Sequence, residues 1–275
     1  MGQEPQPLRG QVGLVTGASR GIGHSVALRL AEAGAGVAIT ARTQQALQET
    51  KGQIEDLGGR CEAMRADVSS PQEVSAAVAG FLAAFGHIDV LVNNAGRVMP
   101  KTTPLVDVDP DEWWNVVEVN LRGPMLMTHA VLPKMIERGR GRIFNVGSLV
   151  GTRPLHGFSA YSISKAGLIR LTDSVNAELA GTGCFVFELS PGLVKTAMTD
   201  EIDIFDDVPE DDWTPVERTG EVIVELCSGR YDALAGRFIH ATDDLEKLLA
   251  MIEASDPDAR RLRLFPAGPN DHLLE

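Results

Sequence analysis

Tyr161, Ser162, Ile163, Ser164 and Lys165 set a phenol and an ammonium four residues apart. On a helix that spacing puts both groups on one face. A phenol with an ordinary pKa of about 10 is a weak base at neutral pH. A neighbouring ammonium favours the phenolate and lowers that value. Such a phenol can exchange a proton with a substrate oxygen while a hydride moves at the adjoining carbon. Taken alone, the Tyr-x-x-x-Lys spacing also arises from packing. Ser148, thirteen residues before Tyr161, adds a hydroxyl that can bond the reacting oxygen and fix its geometry. Asn120 lies inside a long helical pattern, where its side chain competes with backbone hydrogen bonds. Its position predicts a local kink or a held water; an exposed or back-bonded asparagine is the plain alternative.

A second group of residues could hold phosphate. Thr16-Gly17-Ala18-Ser19-Arg20-Gly21-Ile22-Gly23 follows an apolar run and opens a helical pattern. Glycines let the backbone turn tightly and come close to a pyrophosphate, and a helix N-terminus attracts the anion. At the end of the second apolar run an acid would hold the ribose hydroxyls of NAD and repel a 2′-phosphate. The sequence there is Ile39-Thr40-Ala41-Arg42, with no acid. The Arg42 guanidinium can instead pair with a phosphate, so NADP(H) is preferred while NAD(H) stays open. The plain alternative is that Arg42 and Arg20 are solvated surface charges.

These residues need elements to position them. Val12 to Thr16, Gly36 to Thr40, Ile88 to Val92, Arg142 to Val146 and Cys184 to Leu189 read as buried strands, and residues 60–66 and Gly236 to His240 are taken as further strands. Helical patterns separate most of them, at 21–34, 43–57, 71–85, 110–137 and 159–180. Ser70-Pro71 and Asp109-Pro110 each look like an N-cap with proline at the first helical position, followed by Glu73 and Glu112. Strand–helix alternation with apolar strands predicts an α/β fold, a doubly wound parallel sheet of Rossmann type in one domain. Ligands of such sheets sit beyond the carboxyl ends of the strands. The expected divisions are a flexible N-terminus at 1–9, the main domain at 10–241, and a C-terminal helix and tail at 242–275.

The totals exclude several classes. The net charge is −13, which opposes non-specific nucleic-acid binding and docking on anionic lipid. Of the residues 44% are hydrophobic, enough for a sizeable core, yet no apolar run approaches the length of a membrane span. Cys61, Cys184 and Cys227 form no Cys-x-x-Cys pair, so neither a disulfide framework nor a zinc site is expected. No histidine spacing suggests a metal. The start lacks an apolar signal region, and a cytoplasmic location is expected.

The Thr-Gly-x-x-x-Gly-x-Gly loop, Asn93-Asn94-Ala95-Gly96, Asn120, Ser148, Tyr-x-x-x-Lys at 161–165 and Pro191-Gly192-Leu193-Val194-Lys195-Thr196 come in this order. Together they resemble the compact branch of the short-chain dehydrogenase/reductase family, from about residue 10 to 200. The resemblance implies that Tyr161 is the catalytic acid/base and that Ser148 orients the substrate carbonyl. It implies that Lys165 holds the nicotinamide ribose and lowers the Tyr161 pKa, and that Asn120 positions a water relaying protons to Lys165. Arg20 is a second cation of the kind that NADP-using relatives carry. Around the coenzyme the resemblance places Gly17, Ser19, Arg20, Gly21, Ile22, Gly23, Arg42, Asp67, Val68, Asn93, Ala95, Gly96, Tyr161, Lys165, Pro191, Gly192, Val194 and Thr196. Within that set Asp67 would contact adenine, Asn93 would stabilise the central sheet, and Thr196 would meet the pyrophosphate or carboxamide. The family commonly assembles as homo-tetramers or homo-dimers through the helices at 110–137 and 159–180.

The implied activity is hydride transfer between NADP(H) and a small-molecule ketone/secondary alcohol pair. An epimerase or dehydratase that borrows hydride, and a non-catalytic NADP-binding regulator, are the other readings. The last third departs from the family pattern: Ala241-Thr242-Asp243-Asp244 stands where many relatives carry Asp-Gly-Gly. The tail with Arg260, Arg261 and Arg263 either packs on a partner subunit or is partly disordered. Eight acids lie between Asp200 and Asp212, where the family places a mobile lid. They either disfavour anionic substrates or form a solvated loop. Ile202, Ile204, Phe205 and Trp213 either line the pocket or serve packing.

Overall fold

The computed structural model describes residues 6–99, 101–200, 202, 205, 208–254, 256 and 258–263. Strands β1 (Val12–Thr16), β2 (Gly36–Ala41), β3 (Cys61–Arg65), β4 (Val90–Asn93), β5 (Gly141–Val146), β6 (Cys184–Ser190) and β7 (Phe238–His240) form one sheet. Their order is β3-β2-β1-β4-β5-β6-β7, and every pairing is parallel. The order reverses between β1 and β4, which opens a crevice at the carboxyl ends of those two strands.

Helices α1 (Gly21–Glu32), α2 (Gln48–Asp56), α3 (Pro71–Phe85), α4 (Pro110–Val117), α5 (Gly123–Glu137), α6 (Ser159–Glu178), α7 (Arg218–Leu226) and α8 (Leu245–Glu253) cover the sheet. Successive strand residues point to opposite faces. Val15 and Phe144 therefore pack with α1, α2, α7 and α8 on one face. Leu14 and Ile143 pack with α3 and α5 on the other. Phe81, Phe144 and Phe187 have no exposed surface, and burial of each such side chain stabilises by about 1.5–3 kcal/mol. Ser70 Oγ accepts from Glu73 N, and Asp109 accepts from Asp111 N and Glu112 N, so both expected caps open their helices.

Several boundaries differ from expectation. The stretch 110–137 is not one helix: α4 and α5 flank a π-helical turn at Glu118–Arg122. β4 begins two residues later than expected and takes in Asn93. Helix α7 has no counterpart in the sequence reading. Within the segment 1–9, Leu8 is buried and its amide donates to Ala33 O. The apolar side chain fills a gap beside α1, which outweighs the chain entropy of a loose end. Residues 1–5 lie outside the described residues.

At the amino end of the sheet, buried Asp89 accepts from Val12 N at 2.8 Å and pairs with Arg138 and Arg140. The tail also folds back. Arg261 and Arg263 pair with Asp173 of α6, Arg170 reaches Leu262 O, and Phe238 N donates to Arg260 O. Residues 258–263 thus pack at the β7 edge of their own chain; residues 264–275 lie outside the described residues. No helix among the described residues is long and apolar enough to cross a membrane.

Candidate active site

The glycine loop leaves β1 and enters α1. Gly17 and Gly21 have φ of 64° and 57°, where glycine carries no steric penalty. A Cβ on Gly23 would lie 2.3 Å from Asn94 Nδ2 and 2.4 Å from Gly17 O. The Asn94 amide holds this loop by donating to Thr16 O and Gly17 O. Thr16 Oγ1 in turn accepts from the amides of Asn94 and Ala95. A Cβ on Gly21 would touch Thr196 Cγ2 at 3.3 Å, so the segment 191–196 closes the same crevice. The α1 N-cap, Arg20, has extended backbone and makes no side-chain cap hydrogen bond. The amides at this helix start form a donor set suited to a phosphate, and the dipole adds to it.

Arg20 and Arg42 are exposed, and neither guanidinium makes a hydrogen bond or ion pair with a described residue. Arg42 acts on Asp67 through space. Burial would raise the Asp67 pKa, but hydrogen bonds from Ser69 and the charges of Arg42 and Arg65 bring it below the usual carboxylate range. Val68 is buried and backs Gly123.

At the other side of the crevice, Ser148 follows β5 and caps a short turn by accepting from Val150 N at 3.2 Å. The Ser148 hydroxyl also acts on the half-buried Tyr161 phenol and favours its ionised form. Lys165, one helical turn later, is buried and donates to Val146 O at 2.7 Å, with Nζ 5.6 Å from the Tyr161 ring centroid. The expected lowering of the phenol pKa by Lys165 is not what the protein alone produces. Burial pushes Tyr161 up to about 12, Ser148 opposes this, and the charge of Glu188 adds to it. Taking a phenolate out of water costs more here than the Ser148 hydroxyl returns.

The π-helical turn explains Asn120. It widens the helix where Asn120 projects, so its side chain is buried away from its own backbone. Asn120 Oδ1 accepts from Arg97 N at 2.7 Å, and Nδ2 donates to Arg97 O and Ser164 Oγ. This ties the loop after β4 to the turn of α6 that carries Tyr161. Gly96 lies beside Asn120 Oδ1 and Met198.

The crevice therefore gathers the glycine loop, Ala95, Gly96, Asn120, Ser148, Tyr161, Lys165 and Thr196. Asn93 sits one layer beneath it. Its side chain is buried and donates to Asn145 Oδ1 at 2.9 Å, to Thr128 and to Pro124 O. Pro191 is buried, Gly192 turns with φ of 81°, and Val194 is buried behind the loop. In the 200–212 stretch Ile202 is buried, Phe205 packs edge-on to Trp213, and Lys195 pairs with Glu210. Glu201, Asp203, Ile204, Asp206 and Asp207 lie outside the described residues.

Two residues near the site escaped the sequence reading. Asn94 latches the glycine loop. Glu188 stands fully buried in β6, and its signal was a lone acid inside the apolar run Cys184 to Leu189.

A family model described as short chain dehydrogenase matches residues 11–206. A short chain dehydrogenase of Pseudocercospora fijiensis is 36% identical over 263 residues, covering 90% of this chain and 84% of that protein. The 3-oxoacyl-[acyl-carrier-protein] reductase FabG of Vibrio cholerae is 39% identical over 192 residues, covering 70% of this chain and 77% of its own length. The crystal structure of a metagenomic short-chain oxidoreductase in complex with NADP has a TM-score of 0.70 and 36% identity, covering 81% of this chain and 92% of that one. The chain belongs to the short-chain dehydrogenase/reductase family, and it is an oxidoreductase of that family.

Proposed function

We propose that this protein is an NADP(H)-dependent carbonyl reductase, with alcohol oxidation as its reverse. The observation that carries the reading is Ser148 beside Tyr161, with Lys165 one turn on, at the carboxyl edge of the sheet where the glycine loop also lies. Burial keeps Tyr161 protonated at neutral pH, and reduction of a carbonyl consumes that proton. Ser148 and Tyr161 both present hydroxyls to one oxygen position, so a carbonyl oxygen there is fixed in place and its developing negative charge is stabilised.

The crevice suits a dinucleotide. Gly17, Ser19, Gly21, Ile22 and Gly23 would take the pyrophosphate on the amides at the start of α1. Arg20 and Arg42 would hold a 2′-phosphate, Asp67 and Val68 the adenine, and Ala95, Gly96, Pro191, Gly192, Val194 and Thr196 the remaining walls. Lys165 would hold the nicotinamide ribose. When bound, the reduced coenzyme supplies the hydride. Asn120 fixes Arg97 and Ser164, and so keeps the loop after β4 and the Tyr161 turn in register. The solved NADP complex of a relative supports the coenzyme class.

A groove between α4, the π-helical turn, α5 and α6 exposes Trp114 and Met125. We read this face as the one that pairs with a second copy, giving a homo-dimer or homo-tetramer. The three free cysteines are buried thiols, which fits a cytoplasmic enzyme. The test is a panel of ketones and alcohols, with coenzyme absorbance followed for NADPH and NADH. Steady NADPH oxidation by a ketone supports the reading; none with any substrate of the panel, from protein that binds NADPH, sinks it in favour of a binding role.

A further inference from the structure

Glu188 has no exposed surface, yet it is an acid in the middle of a sheet. Burying an unpaired carboxylate costs several kcal/mol, so such a group needs a reason to stand there. We propose that Glu188 is a positioning residue of the active site: from beneath Gly147 its carboxylate is the counter-ion that keeps Lys165 an ammonium. The inference rests on the reading of Lys165 as the cation beside Tyr161, and it adds a group that acts through Lys165 without touching substrate.

The first support is the direction of a hydrogen-bond chain. Asn93 Nδ2 donates to Asn145 Oδ1 at 2.9 Å, and this fixes which way the Asn145 amide points. Asn145 Nδ2 then donates to Thr172 Oγ1 at 2.8 Å. The Thr172 hydroxyl has one proton, and it goes to Glu188 Oε2 at 2.9 Å. The chain Asn93–Asn145–Thr172 thus ends with a proton donated to the acid, an arrangement that favours an anion. The other oxygen, Oε1, lies against Gly147 with no hydrogen-bond partner.

The second support is position. A Cβ on Gly147 would lie 2.1 Å from Glu188 Oε1, so the acid presses against the backbone that runs from Val146 to Ser148. Lys165 Nζ holds the carbonyl of Val146, the residue just before. The two charges flank the same short stretch of chain without forming a direct ion pair.

The third support is how the charges act on one another. Burial pushes Lys165 down, and Glu188 is the charge that raises it. Burial pushes Glu188 up, and Lys165 and Thr172 oppose that. A buried ammonium with no opposing charge gives up its proton near neutrality. Among the described residues, the groups facing Glu188 are Lys165 and Tyr161 of α6. Arg237 of β7 interacts with Asp258, Asp173, Arg261 and Arg263, and His240 of β7 with Asp243 and Arg260. Glu188 also raises Tyr161 directly, so its value lies in the cation that it keeps.

The experiment is a pH titration of lysine carbons by NMR on the full-length protein labelled at lysine. The chain has six lysines, and Lys165→Arg identifies the signal of Lys165. In Glu188→Gln the Lys165 midpoint should fall by at least about one pH unit, while the other five stay in place. Glu188→Asp should restore most of the shift, which a purely structural role would not. If Glu188→Gln does not fold, Thr172→Val takes over: without the donated proton the acid ionises less readily, and the Lys165 midpoint should fall by a smaller step. An unchanged Lys165 midpoint in the folded variant overturns the proposal. The measurement needs no substrate. Its failure leaves the hydride-transfer reading intact, whereas a Tyr161→Phe enzyme with full turnover sinks that reading without touching this one.

Discussion

Ser148 and Tyr161 meet at the carboxyl edge of the sheet, where the Ser148 hydroxyl favours the ionised phenol, although they come from different elements. Ser148 leaves β5, and Tyr161 stands in the first turn of α6. The pair is held from outside: Ser148 by its own turn through Val150 N, and the Tyr161 turn by Ser164, whose hydroxyl bonds Tyr161 O and Asn120.

Removing the phenolic hydroxyl takes away the proton that reduction consumes. Tyr161→Phe should lower kcat by about 10²–10⁴-fold or more. Binding of NADPH, followed by fluorescence, should persist. Turnover within tenfold of the parent would contradict the acid/base role.

Arg42 is exposed at the end of β2 with no ion pair among the described residues. A guanidinium–phosphate contact contributes about 1.5–3 kcal/mol, or roughly 10–100-fold in affinity. Arg42→Ala should therefore raise the NADPH dissociation constant by that factor and leave NADH within about twofold. Equal losses for both coenzymes would argue against a 2′-phosphate at this residue.

Gly147 has no room for a methyl group, because Glu188 Oε1 occupies it. Gly147→Ala should destabilise the fold by about 1–3 kcal/mol, the usual cost of overpacking. Urea unfolding measures this; an unchanged midpoint would show that Glu188 moves aside freely.

The tail should respond to acid. Burial would raise the Asp173 pKa, but Arg263 and Arg261 together bring it below the usual carboxylate value. A depressed folded-state value means that the contact stabilises above the unfolded pKa, near 3.9, and is lost as pH falls through the folded one. At neutral pH the clasp is intact. Asp173→Asn should release residues 258–263 there, seen as faster amide exchange in that segment; exchange equal to the parent's would show that the backbone bond to Phe238 suffices.

The sheet and the motif order were legible because strand periodicity and glycine loops are local signals. Asn120 was legible as an anomaly, since an asparagine inside a helix announces a defect, and the defect is the π-helical turn. What escaped was set by contacts between distant segments. Asn94 and Asn93 are neighbours in the chain, and only the tertiary fold decides which faces the loop. Glu188 passed unremarked as one acid inside an apolar strand, and its setting appears only once Gly147 and Thr172 surround it. Helix α7 was missed because its apolar positions follow the acid-rich stretch. The tail was undecidable from sequence, since its arginines find Asp173 far away along the chain.

One rod, α6, bears Tyr161 near its beginning and Asp173 further along, where three arginines grip it. Residues 258–263 are thereby tied to the same helix that carries Tyr161. A pull on that clasp acts on the rod that bears the phenol.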